Sequence, residues 1–309
     1  MSQNKKATGI RQFRKLEELN LIDNFLFQEM LSQKEGGEEF ARILLSTILE
    51  KNIRKVRIIP QKNILGADTD QHGIRLDAYI EDISDELDEA AADAEVIPDI
   101  YDIEPNNTYE KESLPKRMRY YHGLIDTQFL RSGVDYGKLP NVVIIVILPY
   151  DPFGKNRMMY TIKNGCVEDL SVPYDDGARK IFLYTKGKEG KPSQKLSDML
   201  KYIEKTTNNN VTNQDIESIQ QLVEKVKRKK EVGINYMKSW EIEKMAREEG
   251  YTEGYDSGYE GGYGKGYDNG QDRVNLLIAR LSEAGRMDDI VKAALDKAYQ
   301  ESLFEEFHL

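Results

Sequence analysis

The hydrophobic pattern of the first hundred residues predicts helices followed by strands. Residues 10–33 follow a helical pattern that is interrupted near Asn20, and Asp23 is placed to cap its second half. Residues 37–50 repeat apolar side chains at helical spacing and predict an amphipathic helix. Short β-rich runs, bounded by turn or charged residues, then predict three strands, at 54–60, 73–81 and 100–104.

The next segment predicts a crossover between parallel strands. Residues 113–130 form a helical pattern that begins at Ser113, and residues 141–150 are apolar on both faces, as in a central buried strand. This order of strand, helix and strand predicts an α/β fold with a mixed sheet. Further strands are predicted at 158–163 and 180–185, and helices at 195–204 and from 213 onward.

A four-residue Gly–Tyr repeat occupies residues 250–270. On an α-helix, residues four apart advance by about 400°, so the glycines and tyrosines would form neighbouring stripes that wind slowly around it. Each glycine costs about 1 kcal/mol relative to alanine in a helix. Two interpretations stay open, a flexible linker or a helix stabilised by self-association at the glycines. Residues 272–285 and 288–299 predict a closing pair of helices.

Composition narrows the class of protein. The length of 309 residues allows one large domain or one domain with a smaller appendage. A single cysteine, Cys166, excludes a disulfide framework and a cysteine-based zinc site, and it fits a reducing cytoplasm. The longest apolar stretch, Val142 to Leu148, is too short to span a membrane, and the amino terminus lacks the apolar region of a secretory signal. We therefore expect a soluble cytoplasmic protein with no membrane partner.

The net charge of -10 at first argues against a nucleic-acid partner. However, residues 76–112 hold 14 acidic residues and one lysine, and the rest of the chain has a balance of +3. The acidity is local, and residues near 82–99 are too charged to bury, so they predict a solvated insert at the tip of a hairpin.

The sequence contains no phosphate-binding loop, nucleophile elbow or zinc-protease helix, and its three histidines are scattered. Asp77 and Glu104 lie in the two arms of the predicted hairpin. Strand alternation places Ile74, Leu76, Ala78 and Ile80 on one face and Arg75, Asp77 and Tyr79 on the other. Paired carboxylates on adjacent strands are typical of a Mg²⁺ site, although sheet edges also carry solvated acids.

Six segments, taken together and in order, resemble the Rpn-type recombination-promoting nucleases, also called PD-(D/E)XK nuclease family transposases. They span about two thirds of the chain: DNFLFQEML at 23–31, RLDAYIED at 75–82, YDIEP at 101–105, PKRMRYYHGLID at 115–126, SGVDYGKLPNVVIIVILPYDPFG at 132–154 and DDGARKIFLYTKG at 175–187.

The resemblance implies a restriction-endonuclease-like α/β core, a mixed sheet flanked by helices, that takes part in DNA recombination. It implies that Asp77 and Glu104 bind Mg²⁺ or Mn²⁺ and that a third catalytic position falls on Asn106. The last is a departure, because the family has Gln or Lys there. A second departure is Pro105, which removes a backbone donor beside it.

Three basic residues follow the predicted site and are candidates for DNA binding. Arg119 matches the arginine that precedes paired tyrosines in the family, and Lys116 and Arg117 lie beside it. They would contact phosphate groups, or they form the solvated face of an amphipathic helix.

Four regions are expected: a nuclease-like core at 1–207 with the acidic insert near 82–99, a helical extension at 208–249, the repeat at 250–270, and carboxy-terminal helices at 271–309. The expected function is that of a Mg²⁺-dependent DNA endonuclease. The first alternative is a catalytically degenerate protein that binds DNA or a protein partner, with a homo-oligomer formed through the tail. A weaker one is an interaction protein that uses the acidic insert.

The acidic insert generates a prediction from charge alone. A polyanion beside the basic helix would compete with DNA for it, and salt would screen that competition. Replacing residues 84–95 by a tight turn should strengthen DNA binding, most of all at low salt, in a fluorescence-anisotropy titration. Equal or weaker affinity for the shortened protein would contradict the prediction.

Overall fold

The protein is described by a computed structural model over residues 13–65, 73–84, 97–130 and 133–309. Its strands are β1 (Val56–Ile64), β2 (Ile74–Asp82), β3 (Asp99–Pro105), β4 (Val142–Leu148), β5 (Met159–Lys163) and β6 (Ala178–Tyr184). Its helices are α1 (Asn24–Leu31), α2 (Gly37–Leu49), α3 (Leu114–Asp126), α4 (Gln194–Glu204), α5 (Gln214–Lys227), α6 (Lys230–Glu283), α7 (Met287–Leu295) and α8 (Lys297–Glu306).

The strands form one six-stranded sheet in the order β1-β2-β3-β4-β6-β5. The first three strands are antiparallel, β3 and β4 are parallel, and α3 connects them. Strand β6 continues the parallel part, and β5 runs antiparallel to it at the edge. The expected α/β class and the mixed sheet with a crossover helix are therefore confirmed.

Strand β4 lies at the centre of the sheet, and all seven of its residues are buried. Its alternate side chains belong to two separate hydrophobic clusters. Val143, Ile145 and Ile147 pack with residues of α1, α2, α4 and α5. Ile144 and Val146 pack with α3, so the sheet is covered on both faces and an all-apolar strand is stable there.

Helix α3 positions the polar groups next to β3. Its Leu114, Met118 and Ile125 are buried in the cluster on its side of the sheet. Because Pro115 lies in the first turn, where its missing N–H has no helical partner in any case, the helix begins cleanly at this point. Arg117, in the first part of α3, lies 3.7 Å from Glu104 near the carboxyl end of β3.

The predicted alternation of β2 is wrong at its centre. Ala78 and Ile80 pack in the cluster of α1 and α2, whereas Leu76 and Tyr79 pack in the cluster of α3. The change of face occurs across Asp77. On the neighbouring strand Gln61 has a left-handed backbone, with φ of 53°, and such a conformation breaks the regular pleat of an edge strand.

The chain divides into two compact units, one that ends at Met237 and one from Lys238 to Leu309. Helix α5 packs Ile216, Ile219 and Val223 into the core of the first unit, and Val232 near the start of α6 belongs to the same core. Leu277, Leu281 and Phe304 form a small core of the second unit, contributed by α6 and α8.

The Gly–Tyr repeat lies inside helix α6. Tyr251, Tyr255, Tyr259 and Tyr263 stack in series, with ring centroids 6.4–6.5 Å apart. A Cβ added to any glycine of the repeat would meet no atom of the chain within 4 Å. Within the described part of the chain, these glycines are therefore not required for close packing.

Two expectations concern regions or properties beyond the sheet. Residues 85–96, which are most of the acidic insert, lie outside the described residues. None of the helices described is both long enough and apolar enough to cross a membrane.

Candidate metal centre

Asp77 lies where β2 separates from β3. The antiparallel register between these strands ends with the pair Tyr79 and Asp102, and its extension by two residues would place Asp77 opposite Glu104. The Asp77 carboxylate accepts a hydrogen bond from Gln28 Nε2 at 2.5 Å. Gln61 Nε2 in turn donates to Gln28 Oε1 at 2.6 Å, so α1 and β1 hold this carboxylate in place.

Glu104 and Asp102 are two residues apart on β3 and share its α3 side. Their exposed fractions are 5% and 0%. Neither carboxylate oxygen of Asp102 has a hydrogen-bond partner of ordinary geometry. An acid without partners in such a position is costly, because burial of a polar group is unfavourable unless hydrogen bonds compensate it.

The pKa values of all three acids are raised, and the charge of Asp77 contributes to the shifts of the other two. Burial, followed by the charge of Asp77, raises the pKa of Glu104 to about 8, and the charge of Arg117 opposes the shift. Burial, followed by the charges of Glu104 and Asp77, raises the pKa of Asp102. Burial also raises the pKa of Asp77, and the hydrogen bond from Gln28 opposes it. A cation placed among the three would favour their ionised forms and lower their pKa values.

Arg117 extends from α3 toward the acids. Its Nη2 lies 3.7 Å from Glu104 Oε2, and its Nη1 donates to Glu110 Oε2 at 2.7 Å. The structure therefore places this sequence-predicted DNA contact inside the site. Lys116 and Arg119 are exposed on the same helix.

Asn106 follows the last residue of β3. Its Oδ1 accepts a hydrogen bond from the N–H of Thr108 at 2.9 Å, and its backbone N–H donates to Ile147 O. The side chain thus stabilises the turn after the strand. Alternate N–H groups of β3 point to β4, and position 105 is one of those that would point to β2 instead. Because β2 no longer pairs with β3 at this point, no hydrogen bond is lost when Pro105 lacks an N–H.

The donor set fits a hard divalent cation in its chemistry. Carboxylate oxygens are the ligands that Mg²⁺ prefers, and Mg²⁺ is commonly held by one or two of them with waters and substrate phosphates. Asp77 and Glu104 would supply such a pair. Over the described ranges, no three or more His, Cys, Asp or Glu side chains are already arranged around one point as a cation site.

The remaining candidate residues have other surroundings. His122 is buried in α3 next to β6, with its Nε2 3.1 Å from Arg179 O, and burial lowers its pKa to about 4. His72 lies outside the described residues. The Cys166 thiol donates to Glu168 Oε2 at 3.3 Å.

Sequence reasoning missed Asp102, Gln28 and the inward direction of Arg117. Asp102 was detectable, because a residue two positions before Glu104 on a strand shares its face. The contact of Gln28 with Asp77 spans 49 positions of sequence, and no local pattern indicates it.

No protein-family model, no curated protein and no solved structure matches this chain. The resemblance of its motifs to the recombination-promoting nucleases stays a prediction. The chemistry of the site must be inferred from its own residues.

The raised pKa of Glu104 generates a prediction about stability and pH. Its folded pKa of about 8 exceeds the ordinary value of 4.5, so the folded protein binds more protons between these values. With EDTA present, the free energy of unfolding should therefore fall as the pH rises from about 5 to about 8. The pKa values of Asp77 and Asp102 shift in the same direction, and Arg117 opposes the shifts at Asp77 and Glu104.

Denaturant titrations at several pH values measure this slope. Glu104→Gln should flatten it, whereas the exposed Glu112→Gln serves as the control and should leave it unchanged. Equal slopes for the wild type and Glu104→Gln would contradict the assignment.

Proposed function

We propose that this protein is a metal-dependent DNA endonuclease of the recombination-promoting type, with a restriction-endonuclease-like core that hydrolyses phosphodiester bonds. The observation that carries the proposal is the convergence of Asp77 and Glu104, from two strands, at the point where the strands separate. The charge of Asp77 raises the pKa of Glu104, and this closeness of two carboxylates supports a site for Mg²⁺ or Mn²⁺. We also propose a cytoplasmic location.

The residues around this pair have separate tasks. A divalent cation, when bound, would supply Lewis-acid polarisation of the phosphodiester. Asp77 and Glu104 would hold it, and Gln28 would orient the Asp77 carboxylate. Arg117 would present positive charge to the developing charge on phosphate. Lys116 and Arg119 would bind the DNA backbone from the exposed side of α3.

The second candidate is a catalytically degenerate protein that binds DNA or a protein partner. Asn106 favours it, because the Asn106 Oδ1 is occupied by the Thr108 N–H and an amide cannot serve as a lysine would. The two candidates share the basic helix and differ in whether the acids support cleavage.

We propose further that α6 associates with a second copy of the chain through the repeat. Its five tyrosines are 59–70% exposed, and its glycines lower helix stability without filling any contact inside the chain. A second helix would use both features. An enzyme that nicks one strand per site needs two copies to break a duplex.

The nuclease proposal predicts that Asp77→Ala and Glu104→Ala each reduce metal-dependent plasmid nicking by orders of magnitude, because the cation loses an anchor. The assay uses purified protein with Mg²⁺ or Mn²⁺ and an EDTA control, and Glu112→Ala is the matched surface variant. Unchanged cleavage in both site variants would refute the assignment. Asn106→Gln separates the two candidates, since a gain of activity favours a weakened nuclease and no effect favours degeneracy.

The tail proposal predicts that truncation after Lys244 leaves a folded first unit whose mass in solution drops from oligomer to monomer. Double-strand breaks should fall more than nicks. A sharper variant replaces Gly254, Gly258, Gly262 and Gly266 by Ala. Helix content by circular dichroism should then rise while the oligomer dissociates, because the added methyl groups prevent close approach. If light scattering gives one mass for all three proteins, the repeat does not assemble them.

A further inference from the structure

Asp102 is a buried acid that no basic side chain of the described residues neutralises, and its near neighbours are the Ala78 backbone and the Glu104 carboxyl group. It is fully buried, and both of its carboxylate oxygens lack a hydrogen-bond partner of ordinary geometry. Its neighbours across the strands are Tyr79 on β2 and Ile144 on β4. An apolar residue at this position would join the cluster that already contains Ile100 and Ile144.

The position therefore requires a reason other than packing. Burial of an unpaired polar group costs about 1–3 kcal/mol, and more when the group is charged. Replacement of buried ionic groups by apolar residues of similar volume is often neutral or stabilising. Among the ion pairs of the described residues, Arg117 contacts Glu104 and Glu110, and none includes Asp102.

The geometry of β3 places Asp102 beside the proposed metal ligands. Asp102 and Glu104 lie on one face of the strand, with a separation of about 7 Å along it. Asp77 is two residues beyond Tyr79, the residue that pairs with Asp102. Arg117 approaches Glu104 from α3, with its Nη2 3.7 Å from Glu104 Oε2.

We propose that Asp102 is a third carboxylate ligand of the divalent cation bound by Asp77 and Glu104. The proposal rests on the proposed metal site. The three acids do not yet surround one point, so a rotation of the Asp102 side chain toward the cation is part of the proposal. A third acid would raise the charge of the ligand set to -3, which favours a divalent cation over a monovalent one.

Calorimetric titration of the full-length protein with Mn²⁺ tests this. Asp102→Asn should weaken binding by about 10- to 100-fold. Asp77→Asn should abolish binding. Asp99→Asn is the matched control, because Asp99 lies at the opposite end of β3 from Glu104 and accepts a hydrogen bond from Asn141. The Asp99→Asn variant should bind Mn²⁺ as the wild type does.

Thermal unfolding in EDTA separates ligation from a structural role. Asp102→Asn and the second variant, Asp102→Leu, should unfold no lower than the wild type in EDTA and should gain less stability from added Mn²⁺. Wild-type Mn²⁺ affinity in both variants, with loss in Asp77→Asn, would overturn the assignment of Asp102 and leave the proposed metal site intact. Failure of the wild type itself to bind Mn²⁺ would overturn both.

Discussion

Burial of Asp102 and Glu104, together with the partial burial of Asp77, at one corner of the sheet is the constraint on which the candidate site depends. Asp77, Asp102 and Glu104 each have a pKa raised by burial, and their charges repel one another. A fold that had only to be stable would place apolar residues here. The surrounding elements instead offset part of the cost of burying these acids. The Gln28 amide on α1 donates a hydrogen bond to Asp77, and the Arg117 guanidinium on α3 lies near Glu104.

The central strands make this corner rigid. Strand β4 is buried on both faces, and its parallel pairing with β3 fixes the direction in which Glu104 and Asp102 point. The residues of β2 before Tyr79 can separate from β3 because β1 pairs with β2 as far as the Ile64 and Ile74 pair. Separation of β2 from β3 opens a polar corner without exposing the core beneath it.

The sequence predicted the elements better than their contacts. Strands β1 to β6 and helices α1 to α3 are predicted by hydrophobic periodicity and by turn residues. The reason is that the spacing of apolar residues depends directly on whether one face of an element is buried or both are. The reversal of face at Asp77 left no such record, since it depends on the left-handed Gln61 of another strand. Likewise, α5 joins the core of the first unit through its apolar face, and its own periodicity does not specify which core that face packs against.

The end of β3 shows how the site separates metal binding from positive charge. Pro105 and Asn106 both suit the end of the strand and the turn that follows it. No neighbouring strand needs an N–H from Pro105, and the Asn106 side chain accepts a hydrogen bond from the Thr108 N–H. A lysine is absent from the place where the resembled family has Gln or Lys. Positive charge reaches Glu104 from Arg117 on α3 instead, and Glu110 fixes that guanidinium from its other side. Because this cation is on a helix, its approach to the acids depends on the packing of α3 against β4 rather than on the strand that carries Glu104.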